Sequence, residues 1–418
     1  MEEEKKIFVF ADFLLFHNEF VGTIYVSQTR GKEFYSFEYD QNWLKNGNRL
    51  LDPDLHFYRG LQYRVDSKNI FGVFADSCPD RWGRRLMQRR EEIRARKADE
   101  KPKKLLESDF LLGVFDEARM GGLRYKRDFD GPFVSNEKEY ATPPWTSLRE
   151  LEEASRVFED DEGCLDEKWL KQLLAPGSSL GGARPKATVM APDGTLWIAK
   201  FPSKHDDFNS GAWEMVVHDL AKLCQLDVPE AKVENFSKLG TTFLVKRFDR
   251  DGKQRIHFSS AMTMLGKKDG ADAVDGSSYL EIVSFLKANG ARPKKDLIEL
   301  WKRIVFSMAV SNTDDHFRNH GFLLSEKGWE LSPVYDLNPD LYGEYLSLNV
   351  DEDHSEIDFD LAIGAAPYYG IEKPEAARIV DGIKSIVKNN WTVLAGKYGI
   401  SHSEIERMRP AFQICGKN

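Results

Sequence analysis

Cysteine is scarce in this 418-residue sequence: Cys78, Cys164, Cys224 and Cys415 are scattered, and no two form a Cys-x-x-Cys pair. That pattern excludes a zinc ribbon and suits reduced thiols in packing roles better than a disulfide framework. Long apolar runs are missing too, with none near the roughly 20 residues that span a bilayer. The opening Met1-Glu2-Glu3-Glu4-Lys5-Lys6 is too acidic and polar for a signal peptide. A cytoplasmic protein with no membrane contact is expected. Positive charge is in deficit, at a net −9, which works against broad attraction to nucleic acid or an anionic membrane. Internal repeats and low-complexity segments are absent.

What is present is ordinary globular composition, 41% hydrophobic and 30% charged, in a chain long enough for two or three packed lobes. Ile7 to Gln28 mixes β-branched and aromatic residues around a polar break at His17-Asn18-Glu19, predicting two strands, and Phe34, Tyr35, Phe37 and Tyr39 predict a third. Arg84 to Ala98 predicts an arginine-rich helix that Asp80 could cap, with Arg81 and Trp82 in its first turn. A solvated helix with snorkelling arginines explains it better than a nucleic-acid patch. Arg127 to Thr146 is rich in Gly, Pro, Asp and Asn and leads to Pro143-Pro144-Trp145. Three regions are expected: a β-rich module over 1–145, a mixed region over 146–255 and a helical one over 256–418, an α+β chain.

The best place for chemistry is Ser311-Asn312-Thr313-Asp314-Asp315-His316-Phe317-Arg318-Asn319. Upstream, Leu297, Leu300, Trp301, Ile304, Val305 and Met308 recur at helical steps over Asp296 to Val310. Downstream, Gly321–Leu324 and Trp329–Leu331 flank a hairpin turn that leads to Ser332-Pro333-Val334-Tyr335-Asp336. Asp314 and Asn319 are five positions apart, the interval between catalytic Asp and metal-binding Asn in protein-kinase loops, and Asp336 falls where a second metal carboxylate is needed. Magnesium prefers hard oxygen ligands, which Asn319 and Asp336 can supply, leaving Asp314 to take a proton from a hydroxyl.

A second glycine- and hydroxyl-rich stretch, Pro176 to Lys186, precedes a predicted hairpin that ends at Ala199-Lys200. Because no Gly-Lys-Ser/Thr ending or helix follows, a Walker loop is excluded. The arrangement fits a flexible loop that lays backbone amides over phosphates, with a strand presenting Lys200. Buried in an apolar run, that ammonium needs a partner. Phosphate and Glu214 are candidates, Glu214 lying on a helix striped by Trp213, Val216, Val217, Leu220 and Cys224. In the polar end of Phe243 to Arg250, Lys246 offers backbone to adenine, Phe248 could line the base and Asp249 reach the ribose. A core Phe and a turn Asp explain the last two equally well.

Taken together, Ser179-Leu180-Gly181-Gly182-Ala183-Arg184-Pro185-Lys186, Ala199-Lys200, Val245 to Arg250, Asn312 to Asn319 and Pro333-Val334-Tyr335-Asp336 resemble the HipA family of bacterial serine/threonine kinases. Phe20-Val21-Gly22 and Phe74 to Gly83 resemble that family's amino-terminal subdomain. The resemblance implies a two-lobed kinase-like fold with a mainly helical carboxy-terminal lobe, ATP and Mg2+ as cofactors, and the toxin role in a toxin–antitoxin pair. It implies a HipB-like helix-turn-helix antitoxin as partner, DNA contact only through that antitoxin, and a protein substrate, in some members an aminoacyl-tRNA synthetase. By position it makes Asp314 catalytic, Asn319 and Asp336 metal ligands, Lys200 and His316 neighbours of the phosphates, and Gly181, Gly182 and Ala183 the cradle. Autophosphorylation falls on Ser179, with Ser178 adjacent.

Two other classes compete. A metal-dependent hydrolase would use His316 and His320, four apart beside two carboxylates, although Gly321 and the apolar strand beyond oppose a helix there. A non-catalytic nucleotide-binding scaffold is opposed by the joint presence of Lys200, Asp314, Asn319 and Asp336.

Overall fold

The computed structural model describes residues 4–14, 16–47, 49–64, 70–135, 142–160, 173 and 182–416. Ser178, Ser179 and Gly181 lie outside them. The chain divides into two compact units, Met1–Ala199 with Asp249–Ser259, and Lys200–Phe248 with Ser260–Asn418.

In the first unit, strands β1 (Lys5–Phe13), β2 (Phe16–Thr29), β3 (Lys32–Tyr39), β4 (Gln62–Tyr63) and β5 (Leu123–Lys126) form an antiparallel sheet ordered β4-β3-β2-β1-β5. Alternation along β1 puts Ile7, Val9, Ala11 and Phe13 in the core. The polar break expected at His17-Asn18-Glu19 is not a turn. The register passes from Asp12↔His17 to Ala11↔Glu19, so Asn18 is the extra residue of a bulge, at φ +57°. Strand β2 continues through it, because its pairing with β1 resumes on both sides of the one unpaired residue. Asp80 caps the helix Arg81–Lys97 by accepting from Gly83 N at 2.9 Å. Strands β6 (Lys186–Met190) and β7 (Leu196–Lys200) are neighbours in a sheet. Gly194 at φ +83° and an Asp193 carboxylate that accepts from Thr195 N turn the chain between them.

The second unit is mainly helical. Pro293–Ala309 has Pro at its start, where no N–H is missed, and buries Leu300, Trp301, Ile304, Val305 and Met308. Strands Gly321–Ser325 and Gly328–Leu331 form the expected hairpin, with Phe322 opposite Leu331 and Leu324 opposite Trp329. Two bonds fasten helix to hairpin: Leu331 N donates to Asp296 Oδ2 at 3.1 Å and Arg303 Nη2 to Ser332 O at 2.8 Å. The loop at 311–319 is thus strung between two elements locked to each other. The helix Ser210–Leu223 meets Lys373–Lys397 through Trp213 and Trp391, and Trp391 stacks on Phe412 at 4.6 Å. The fold is α+β, β-rich at its amino-terminal part and helical beyond. Among the described residues no helix is long and apolar enough to cross a membrane.

Candidate active site

Adjacent aspartates in the loop have opposite surroundings. Asp315 is buried, accepts from Tyr279 Oη at 2.8 Å and lies 3.1 Å from His320 Nε2. Burial raises its pKa, but the charge and hydrogen bond of His320, with the Tyr279 hydroxyl, outweigh it and hold the carboxyl below the ordinary range. Asp314 has its side chain 83% exposed, with His316 Nε2 at 3.6 Å. Asn319, buried, donates Nδ2 to Asp314 O at 2.7 Å, and Asn312 donates to Ser307 Oγ at 3.2 Å. Ser311, at φ +51°, donates its hydroxyl to Ala411 O at 2.8 Å. Ser311, Asn312 and Asn319 are anchored in this way, while the Asp314 carboxylate is exposed.

The chain after the hairpin runs back along this loop. Tyr335 Oη donates to Arg318 O at 2.8 Å, Asn338 N to Asn312 Oδ1 at 3.2 Å, and Asp340 N to Ser311 O at 2.9 Å. Between these ties sits Asp336 at φ +60°, a left-handed conformation that Asp tolerates better than most residues and that marks strain worth explaining. Its Oδ1 is 2.6 Å from Lys200 Nζ, and the same ammonium is 2.5 Å from Glu214 Oε1. Burial works against the Lys200 charge; Asp336 and Glu214 outweigh it and raise its pKa above the usual lysine value. Asn319 Oδ1 and the Asp336 carboxylate are hard oxygens of the kind magnesium prefers.

The structure therefore brings Asp314, His316, Asn319, Asp336, Lys200 and Glu214 into one hydrogen-bonded and charge-linked region of the second unit. Other expected residues are placed as follows. Lys246 is half-buried, its N–H donating to Glu230 O at 2.8 Å, and the Phe248 ring lies 5.6 Å from Tyr335. The ribose expectation at Asp249 is corrected: the residue is fully buried in the first unit, where its carboxylate accepts from Gly121 N at 2.8 Å and pairs with Arg250 at 2.6 Å. Its short side chain is spent on holding backbone. Gly182 and Ala183 are exposed in the first unit. His316 and His320 do not share a helical face, since a 3-10 turn, Phe317–Asn319, separates them and each meets a different aspartate. Tyr279 was invisible to sequence reasoning, because no spacing ties it to a loop 36 residues away.

Residues 14–106 match the family model of the HipA N-terminal domain, and residues 178–391 that of the HipA-like C-terminal domain. A serine/threonine-protein kinase toxin HipA of Shewanella oneidensis is 26% identical over 247 residues, 50% of this chain and 55% of that protein. A putative kinase of Haemophilus influenzae is 26% identical over 189 residues, 40% of this chain and 54% of that one. The chain thus spans about half the length of the curated relatives it matches. Among solved structures, the Shewanella oneidensis toxin–antitoxin complex of HipA, HipB and operator DNA matches at a TM-score of 0.65 and 17% identity, covering 99% of this chain and 96% of that one. That likeness shows a shared fold.

Proposed function

The chain belongs to the HipA family, and on that premise we propose that it is an ATP-dependent serine/threonine protein kinase and the toxin half of a toxin–antitoxin pair. The observation that carries this is the contrast within one loop. Asp314 is the exposed carboxylate of a segment in which Ser311, Asn312, Asp315 and Asn319 are hydrogen-bonded, and Lys200 stands in the same unit with Glu214 and Asp336 as its partners. Asp314 orients a substrate hydroxyl and takes its proton. Lys200, kept charged by its two carboxylates, contacts phosphate, and His316 stands beside it. The Gly182–Ala183 backbone, with Gly181 before it, offers amides to the phosphates, and Lys246 and Phe248 adjoin the base. Magnesium held by Asn319 and Asp336 would neutralise charge on the transferred group. Positioning and charge stabilisation supply most of the rate gain in such chemistry.

A dianion of about −1.5 to −2 on Ser179 or Ser178 would compete with nucleotide phosphates for the same amides, so autophosphorylation there is self-inhibitory. The partner is a HipB-like helix-turn-helix antitoxin, through which the chain meets DNA. The substrate is a cellular protein, with aminoacyl-tRNA synthetases the first class to assay.

The test is transfer of labelled phosphate from ATP with magnesium, to the chain itself and to a synthetase panel, with Asp314→Asn alongside. Transfer by the parent and a loss of about 100-fold or more in the variant is expected. Thermal stabilisation by ATP without transfer would favour a non-catalytic scaffold. Equal transfer by parent and variant would remove Asp314 from its role.

A further inference from the structure

The Pro79-Asp80-Arg81-Trp82-Gly83 stretch takes no part in the chemistry above, yet it grips one residue of the glycine-rich segment at two points. Asp80 divides its carboxylate. One oxygen, Oδ1, accepts from Gly83 N and caps the helix, while Oδ2 lies 2.7 Å from Lys186 Nζ. Trp82, 1% exposed, donates its indole N–H to the backbone carbonyl of the same Lys186 at 3.0 Å. Lys186 then donates to Gly182 O at 3.0 Å, closing the segment on itself. All of these residues lie in the first unit.

The grip is firm for identifiable reasons. The Lys186 and Asp80 side chains are only 4% and 6% exposed, so this is a buried ion pair, where removing one partner strands the other's charge. An exposed pair would contribute little. The Trp82 ring meets Phe158 edge-on at 5.1 Å, and the Arg85 guanidinium lies over both rings. Gly83 is required where the turn closes, because a Cβ there would fall 2.8 Å from Pro79 Cβ. Arg84 Nε donates to Pro79 O at 3.1 Å and holds the turn from the other side. An ammonium committed to both Asp80 and Gly182 O is used as a clamp.

We propose that Asp80 and Trp82 are positioning residues for the nucleotide: by holding Lys186 they set the backbone course of Gly182–Lys186, the segment that would offer its amides to the phosphates. This rests on the ATP-binding role proposed above. The positioning is local and mechanical, and it gives the Asp-Arg-Trp-Gly sequence a task beyond capping its own helix.

The experiment uses the full chain with Trp82→Phe, which keeps an aromatic ring but removes the N–H donor and part of the indole's bulk, Asp80→Asn, Lys186→Met and the Asp80→Asn/Lys186→Met double variant. Two readouts are taken: hydrogen exchange of the peptide covering 182–190 without nucleotide, and KM for ATP against kcat in phosphate transfer. Expected are exchange faster by about tenfold, a KM raised about five- to tenfold, kcat at saturating ATP within about twofold of the parent, and a double variant no worse than the worse single one. A purely structural role would lower the melting temperature and the active fraction without moving KM. Unchanged exchange overturns the clamp; faster exchange with unchanged KM overturns its nucleotide role. A far larger KM for Lys186→Met than for Asp80→Asn would make Lys186 itself a phosphate ligand and overturn the assignment to Asp80 and Trp82. If Asp80→Asn does not fold, Trp82→Phe decides the matter alone. Failure of the parent to bind ATP, seen as no thermal shift, would defeat the kinase proposal and this one's nucleotide half with it, while the exchange result would still judge the clamp.

Discussion

Asp314 and Asp315 are chemically identical neighbours, and the fold exposes the first and buries the second. The same logic governs Lys200, whose side chain is 8% exposed and whose ammonium is neutralised by two carboxylates. Its need for a partner was legible from a lysine closing an apolar strand, and Glu214 was a visible candidate 14 residues on. Asp336 was not, because 136 residues separate it from Lys200 and only folding brings them together. Lys200→Met should therefore do more than remove a phosphate contact. It leaves two carboxylates without their shared cation, and a loss of about 3–5 kcal/mol is expected from urea denaturation. Adding Glu214→Gln should recover part of that stability and none of the phosphate transfer. No recovery would mean that the pairing adds little.

At the scale of elements, the helix Pro293–Ala309 and the hairpin after residue 320 were readable because their periods of 3.6 and 2 are strong and their ends carry clear signals. The bulge at Asn18 was not, since a polar break inside an apolar run reads as a turn unless the pairing strands are known. The helix Tyr279–Asn289 shows how an element serves the site from a distance: it delivers the Tyr279 hydroxyl to Asp315, beneath the loop that presents Asp314. Tyr279→Phe removes a donor from a buried carboxylate, which costs about 1.5–3 kcal/mol. The phosphate-transfer rate should fall about tenfold with KM for ATP unchanged, because the loosened group is the proton acceptor's backbone. A raised KM with normal kcat would place Tyr279 on the nucleotide side instead.

For the molecule as a whole, acid stability should be set in part by His257. It is buried, its ring stacks on Phe13 at 4.8 Å, and burial pushes its pKa down to about 3. Unfolded, it titrates near about 6.5, so the unfolded chain binds the extra proton. Its contribution is complete above that pH and is lost as pH falls towards 3, an effect on the order of 5 kcal/mol. Asp52 acts in the opposite sense: burial raises it to about 6, so the folded chain holds the proton and stability declines as pH rises through the interval from about 4. Urea midpoints at pH 7 and pH 4.5 should differ less in His257→Gln than in the parent; an equal difference would show that His257 does not govern the acid limb.

The sequence by itself determined the α+β class, the helix and hairpin that bracket the loop, and the types of residue able to carry phosphoryl transfer. These follow from periodicity, turn chemistry and spacing, which are local properties. Family resemblance was legible for the same reason, being held in short ordered motifs. Only the tertiary structure decided that Asp249 is buried rather than free for a ribose, that Asp336 joins Glu214 on Lys200, and that Asp80 and Trp82 hold Lys186. Each of those outcomes depends on burial and on contacts between residues far apart in the chain, and neither is written in any local stretch of it.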